Sequence, residues 1–190
     1  MENFTKLRKM MDDSFDLREK VIQNSRKAIQ ASKSSIYAMQ RDDIEQAEKG
    51  LDAIRKHLAD ARKTISKDPK LAYEGIFKVA IQEYVEAMAL LEFVKTGKIL
   101  PYSDEFMDYE TYLMGICDLT GELVRKAINS SLKEDYGKAV KIKNALEEIY
   151  TEMSSFDFRN GELRRKFDGI KYELKKMDDI VFQLKMKDKI

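Results

Sequence analysis

Apolar side chains recur at three- and four-residue steps along almost the whole chain, which is the spacing that places them on one face of an α-helix. The first stripe runs from about residue 3 to about residue 40, and a new one follows each short polar break. The predicted helices cover about residues 3–40, 42–65, 69–95, 108–132, 135–155 and 160–184. We therefore predict an all-α bundle of about six or seven helices, forming a single domain over residues 1–190.

Residues with special backbone preferences mark the ends of these helices. Asp68 is expected to cap the third helix, with Pro69 in its first turn. Gly97 is expected to end that helix, and Asn160 to cap the last one. Residues 99–107 are predicted to form a loop.

The composition suits long helices better than a sheet or a disordered chain. Charged residues make up 36% of the sequence and hydrophobic residues 43%, with only two prolines and eight glycines. Two of the glycines, Gly115 and Gly121, lie within the fourth predicted helix, where the missing side chain would let another helix approach closely.

The charge balance is close to neutral, with a formal net charge of +1. Net charge therefore gives no support to nucleic-acid binding, and any basic surface has to be a local concentration. Such a concentration is visible at both ends. Residues 1–41 carry nine basic against five acidic residues, and residues 159–190 carry ten against six.

Cys117 is the single cysteine, so no disulfide can form within the chain and a reducing, cytoplasmic setting is expected. The first residues are polar and resemble no signal peptide. No apolar run reaches the roughly 18 residues that a membrane span needs, so no membrane association is expected.

Two pairs of carboxylates form the best candidate site. Glu83 and Glu86 share one face of the third predicted helix, and Asp118 and Glu122 share one face of the fourth. Converging carboxylates are the ligands that Mg²⁺ or Mn²⁺ would need, and two packed helices can supply two each. Alternatively, Glu122 pairs with a basic neighbour, Arg125 or Lys126, while Glu83 and Glu86 sit at a solvated edge.

Other catalytic classes lack their residues. His57 is the single histidine, which excludes a multi-histidine metal site and a histidine-based catalytic site. Cys117 has no histidine near it in sequence, and its simplest role is that of a small buried residue. The sequence also contains no phosphate-binding loop, dinucleotide fingerprint or nucleophile elbow.

The two terminal helices suggest assembly. The first predicted helix is unusually long, and its stripe together with that of the last helix is more apolar surface than one small subunit readily covers. The stripe of the last helix is expected to contribute to a subunit interface through Phe167, Ile170, Leu174 and Met177. The basic run Arg164-Arg165-Lys166 beside it is an alternative nucleic-acid patch.

Four segments resemble the translin/Trax family, in the same order and over nearly the whole chain. Residues 25–33, continuing to Gln40-Arg41, are similar to the first-helix motif of both proteins. Residues 82–87 and 118–130 are similar to the two acidic segments of Trax, whereas residues 159–172 are closer to the last helix of translin. This mixture resembles the archaeal-type, Trax-like subunit.

The resemblance implies an α-helical subunit of a hollow homo-oligomer, of eight subunits in this family, that holds RNA or single-stranded DNA. It also implies that Glu83, Glu86, Asp118 and Glu122 are catalytic residues that bind Mg²⁺ or Mn²⁺, because Trax-type subunits cut RNA with acids at these positions. Arg26, Lys33 and Arg41 lie on the basic first helix within the matching motif and are the candidate RNA contacts.

The leading hypothesis is thus a metal-dependent endoribonuclease that cuts single-stranded or unpaired RNA inside a closed homo-oligomeric shell. Two other classes stay open at this point. One is a non-catalytic, translin-like oligomer that binds RNA or single-stranded DNA. The other is a structural helical bundle that works only through protein partners.

Overall fold

The computed structural model describes residues 2–103 and 107–190, and within them the chain forms six α-helices, one short 3₁₀ segment and no strand. The helices are α1 (Glu2–Gln40), α2 (Ile44–Ile65), α3 (Gly75–Thr96), α4 (Tyr109–Leu132), α5 (Tyr136–Ser154) and α6 (Glu162–Met186). The all-α prediction is confirmed. The predicted loop 99–107 is non-helical wherever it is described, and residues 104–106 lie outside the described part.

Most helix ends follow from local chemistry. The Asp43 carboxylate accepts a hydrogen bond from the backbone N–H of Gln46 and so caps α2. The Asp108 carboxylate accepts one from the backbone N–H of Thr111 at 2.7 Å and caps α4. Gly97 ends α3 in the left-handed conformation that glycine adopts most easily.

Two predicted helix starts were wrong. Asp68 and Pro69 begin a short 3₁₀ segment, Pro69–Tyr73, and α3 starts only at Gly75 because the extended backbone of Glu74 interrupts the helix. The last helix is preceded by Gly161 rather than capped by Asn160, and no side-chain cap bond forms at its start.

The helices pack in two connected groups. α1 packs along α2 and α3, while α4 packs against α3, α5 and α6, so the α3–α4 contact joins the two groups. α1 has 39 residues, a length of roughly 58 Å at 1.5 Å per residue. Its first four turns extend beyond the core, and five apolar side chains there are more than half exposed: Phe4, Leu7, Met10, Met11 and Phe15.

The predicted role of the α6 stripe in a subunit interface was wrong for three of its four members. Phe167, Ile170 and Met177 are 6%, 1% and 0% exposed and belong to the subunit's own core. Leu174 is half-buried and packs against that core. The stripe is covered because α6 lies across α4 and α5.

Each described helix lacks the length of apolar sequence that a bilayer crossing requires.

α3 and α4 approach most closely at Gly115. A Cβ atom built on Gly115 would lie 2.6 Å from Cγ1 of Val85 and 3.1 Å from the carbonyl oxygen of Gln82, so only glycine fits without a shift of α3. The predicted close approach is confirmed at this position. It is wrong for Gly121, where an added Cβ would meet no atom of another described helix within 4 Å.

The substitution Gly115→Ala should therefore lower the free energy of unfolding by about 1–3 kcal/mol, because the new methyl group overpacks the α3–α4 contact. Gly121→Ala on the same helix is the matched control and should leave stability unchanged or raise it by up to about 1 kcal/mol, since alanine favours helix and has space there. Urea denaturation of the two variants measures both effects. Equal stability changes in the two variants would contradict a tight contact at Gly115.

Candidate metal-binding site

The four predicted acids lie on the facing sides of α3 and α4, close to the Gly115 contact. Glu83 and Glu86 are near the middle of α3, and both are only partly accessible. On α4, the side chains of Asp118 and Glu122 are 28% and 21% exposed. The core begins directly beneath them, with Ala87, Leu90 and Leu119 fully buried, whereas Val79 on α3 is exposed. The acids therefore lie at the boundary of the core and not at a solvated edge.

The charges of the four acids act on one another. Burial raises the pKa of Glu86 to about 8, and the negative charges of Asp118, Glu83 and Glu122 contribute to the same shift. The pKa of Glu83 is also raised, first by burial and then by Asp118 and Glu122, against the opposing effect of Lys33 and Lys166. Such mutual effects mean that the two pairs lie within range of one another's charges, and their convergence on one ion stays a prediction.

Asp118 is held by side chains from two other helices. The Lys166 ammonium group of α6 lies 2.7 Å from Oδ1 and 2.9 Å from Oδ2 of Asp118. The Gln82 carboxamide of α3 also donates to Oδ2. Lys166 is the cation closest to the acid cluster that these contacts reveal, and its charge also lowers the pKa of Glu83 and Glu86.

Glu122 is held by α1. Gln40, which is 5% exposed, donates from Nε2 to the Glu122 carboxylate at 2.7 Å and to the Glu122 carbonyl at 2.9 Å. The Asn129 carboxamide in turn donates to Oε1 of Gln40 and fixes its orientation. Arg125 lies 3.7 Å from the Glu122 carboxylate, so the alternative ion pair predicted from helical spacing is present.

Lys126, the other predicted partner of Glu122, points away from it. Its buried ammonium group donates to the Met39 carbonyl and to the Asp42 carboxylate at 2.6 Å. This bond, with a second from Lys133, lowers the pKa of Asp42 to about 2. Lys126 therefore ties α4 to the end of α1 and has no part in the acid cluster.

The four carboxylates suit a hard divalent cation both in ligand type and in their partly buried position. Four carboxylates supply the oxygen ligands that Mg²⁺ and Mn²⁺ prefer. Burial and then the neighbouring negative charges raise the pKa of Glu86, and a divalent cation would offset both effects. In the present side-chain positions, no three Asp, Glu, His or Cys side chains among residues 2–103 and 107–190 are close enough to hold an ion. The bonds to Gln82, Lys166 and Gln40 hold the acids in this open arrangement, so their metal-binding role stays a prediction.

The three predicted RNA contacts are all exposed, Arg26 and Lys33 on α1 and Arg41 just after its end. The charge of Lys33 acts on Glu83, which places this lysine beside the acids. Arg26 is seven residues earlier, two helical turns away on the same side. Arg41 lies one residue beyond the end of α1, outside the helix that carries the other two. Lys33 is therefore the best placed of the three.

Sequence reasoning missed the polar partners of the acids and one aromatic residue. Tyr37 is 49% exposed one turn after Lys33, and the Arg125 guanidinium lies 5.0 Å from the centre of its ring. The sequence separations from Gln40 to Glu122 and from Asp118 to Lys166 are 82 and 48 residues. No local pattern indicates such pairings. The one signal for Lys166 in the sequence was its place in the basic run of α6.

Cys117 precedes Asp118 but takes no part in the site. Its side chain is 5% exposed, and burial together with the charge of Asp118 raises the pKa of its thiol to about 12. The thiol is therefore uncharged at neutral pH and is not a nucleophile. The predicted role as a small buried residue is confirmed.

The raised pKa of Glu86 predicts a pH-dependent stability of the metal-free chain. Folding favours the protonated carboxyl group, so its contribution is complete below the ordinary value of 4.5 and is lost as the pH rises through about 8. In EDTA, Glu86→Gln should melt close to the unsubstituted chain at about pH 5 and clearly above it at about pH 9. Glu152→Gln, at an exposed position of α5, is the control. A constant difference between Glu86→Gln and the unsubstituted chain at both pH values would contradict a desolvated Glu86.

Comparison with known proteins agrees with this architecture. The Translin family model matches residues 16–188. Translin of Gallus gallus is 28% identical over 117 residues, covering 59% of this chain and 51% of that protein, so the chain spans about half the length of this relative. Translin-associated protein X of Mus musculus is 25% identical over 97% of this chain and 78% of that protein.

Two solved structures share the fold over nearly all of both chains. Apo-NeC3PO is 28% identical, with a TM-score of 0.87 over 96% of this chain and 97% of the other. AfC3PO in complex with duplex RNA is 23% identical, with a TM-score of 0.84 over 97% of each, and supports the fold alone. Because the family model covers the chain from α1 to the residues after α6, the chain belongs to the Translin family.

Proposed function

We propose that this chain is a metal-dependent endoribonuclease that cuts single-stranded or unpaired RNA within a closed homo-oligomer. The observation that carries the proposal is that two pairs of partly buried carboxylates lie on the facing sides of α3 and α4, where burial and like charge raise the pKa of Glu86 to about 8. Carboxylates that serve only for solubility would lie apart in water. A desolvated cluster is instead typical of a functional site.

The residues that would hold Mg²⁺ or Mn²⁺ are Glu83, Glu86, Asp118 and Glu122. When bound, such an ion supplies an activated water molecule and neutralises charge on the scissile phosphate. The protein contributes the positions of the ligands. Gln82 and Gln40 hold Asp118 and Glu122 through hydrogen bonds from neighbouring helices, which limits their movement before an ion binds.

The surface beside the acids has the chemistry to hold an unpaired RNA strand. Lys33 and Arg26 offer cationic groups to phosphates on the side of α1 that leads to Glu83. The exposed Tyr37 ring offers a stacking surface for a base, and Arg125 lies against that ring. Stacking requires a base that is free of its own duplex, which favours single-stranded or unpaired RNA. A single-stranded DNA could use the same cationic side chains and the same aromatic ring.

Self-association is part of the proposal. Phe4, Leu7, Met11 and Phe15 are 75%, 58%, 53% and 57% exposed on the part of α1 that extends beyond the core. A row of this size is costly to leave in water, and burial against other copies would remove it. The predicted interface thus moves from the α6 stripe to the start of α1, and the proposed assembly is a closed homo-oligomer, with eight subunits expected from the family resemblance.

A second candidate function is a nucleic-acid-binding oligomer without catalytic activity. The observation that favours it is the ion pair between Lys166 and Asp118, which already neutralises one of the four acids. Under this alternative the acid cluster would be a structural remnant, and the basic surface of α1 would be the functional part.

Cleavage of a labelled single-stranded RNA distinguishes the two functions. The unsubstituted protein should cut it with Mg²⁺ or Mn²⁺ and not with EDTA, and Glu86→Gln should lower the rate by at least about a hundredfold, since a metal ligand is removed. RNA binding by Glu86→Gln should be largely kept, because the acids repel phosphate unless an ion is bound. Loss of binding together with cleavage would indicate a structural role for Glu86. Binding without metal-dependent cleavage in the unsubstituted protein would favour the second function.

The triple substitution of Arg26, Lys33 and Arg41 by Ala tests the basic surface of α1. It should weaken RNA binding regardless of base sequence and flatten the log–log salt dependence by up to about 0.7 for each phosphate that the protein no longer neutralises. Because Lys33 is the residue whose charge acts on Glu83, restoring Lys33 alone should recover more affinity than restoring Arg41 alone. Binding measured by fluorescence anisotropy over a salt series checks both. An unchanged salt slope would move the basic surface elsewhere, with Arg164-Arg165-Lys166 as the next candidate.

A further inference from the structure

Lys166 and Arg125 both place a positive charge at a proposed metal ligand. Lys166 lies 2.7 Å from Asp118, whereas Arg125 lies 3.7 Å from Glu122, so Lys166 opposes a metal ion more directly. Its ammonium group lies within 2.9 Å of both oxygens of Asp118. It therefore occupies the position that a metal ion would occupy if both oxygens of this carboxylate bound it. Its charge extends to Glu83 and Glu86 as well. A positive group at this point stabilises the acids when no metal is bound.

The contacts leave Asp118 little capacity for a further ligand. A carboxylate oxygen offers about two lone-pair sites. Oδ2 receives both Lys166 and the Gln82 carboxamide, and Oδ1 receives Lys166. A divalent ion could reach only the remaining site on Oδ1, where it would lie close to an ammonium group of like sign.

The surroundings of Lys166 allow its side chain to move while its backbone stays fixed. Phe167 and Ile170 are buried on the same helix and anchor this part of α6 in the core. The lysine side chain itself borders a cleft of about 210 Å³ between α4 and α6, which Glu173 also lines. The ammonium group therefore has space to leave Asp118, and the cleft that it would enter holds another carboxylate.

We propose that Lys166 is a built-in counter-ion of the acid cluster, which holds Asp118 in the metal-free protein and must leave it when a divalent metal ion binds. Lys166 is a positioning residue in this scheme and makes metal binding weaker than four carboxylates alone would. The inference rests on the proposed function, because it assumes that these acids bind metal. It adds that a cation of the protein itself competes for one of the ligands.

The test compares Mn²⁺ binding by isothermal calorimetry in variants of the full chain. Lys166→Met and Lys166→Gln should bind Mn²⁺ about tenfold more tightly than the unsubstituted protein, because a positive charge close to the ion is gone. Lys166→Arg keeps the charge and should bind Mn²⁺ much as the unsubstituted protein does. Lys185→Met removes a charge from an exposed position near the end of the same helix, far from the acids, and should change nothing.

Melting temperatures give a second readout that needs neither RNA nor activity. In EDTA, Lys166→Met should melt below the unsubstituted protein, since the acids lose their counter-ion. Saturating Mn²⁺ should raise the melting temperature of Lys166→Met by more than it raises that of the unsubstituted protein. Lys166→Gln keeps a hydrogen-bond donor toward Asp118, so it should show the same tighter binding even if the Met variant fails to fold. Asp118→Asn combined with Lys166→Gln should lose the gain in affinity.

The possible outcomes separate the proposal from its premise. Tighter Mn²⁺ binding in the two uncharged variants, or binding detectable in them alone, supports the proposal. Equal or weaker binding in both, beside measurable binding in the unsubstituted protein, overturns it and leaves the proposed function intact. Absence of Mn²⁺ binding in every variant overturns both. Tighter binding without RNA cleavage in any variant supports the counter-ion and contradicts the endoribonuclease.

Discussion

The mutual repulsion of four half-buried carboxylates is the constraint on which the centre of this structure depends. α3 and α4 come together at Gly115, where no Cβ fits, and this close contact brings Glu83 and Glu86 opposite Asp118 and Glu122. Like charges so placed are costly, and burial adds to the cost. In the metal-free protein, the pKa of Glu86 is raised and the Lys166 ammonium group pairs with Asp118, and both features reduce the repulsion. A bound divalent metal ion would reduce the same repulsion in their place.

The site is assembled from four helices, although the acids come from only two. Gln40 of α1 donates a hydrogen bond to Glu122. Gln82 of α3 and Lys166 of α6 both donate to Asp118. α1 also brings Lys33 to the edge of the cluster. Metal ligands, their orienting groups and the basic surface are therefore positioned by the same packed core, so a change in helix packing would alter all of them together.

Much of the fold could be predicted from the sequence because it is encoded locally. Apolar periodicity indicated the six helices, and Gly97 marked the end of α3. The errors at Asp68 and Asn160 arose where a capping residue was taken to begin an α-helix that in fact starts a few residues later. The α6 stripe was misassigned because an amphipathic pattern shows that a face is covered and does not show by what. The four acids were proposed as a site from helical spacing and family resemblance, and that role stays a prediction. Their partners Gln40, Gln82 and Lys166 become visible only when distant segments are packed together.

The most direct test of the metal site is anomalous X-ray scattering from crystals of the protein soaked in Mn²⁺. An ion should appear between α3 and α4, with carboxylate oxygens from both helices at about 2.1 Å and the Lys166 ammonium group moved away from Asp118. An ion bound there with Lys166 still against Asp118 would support the metal site and contradict the proposed displacement of Lys166. A well-occupied Mn²⁺ site elsewhere, with Glu83, Glu86, Asp118 and Glu122 free of metal, would contradict the proposed active site.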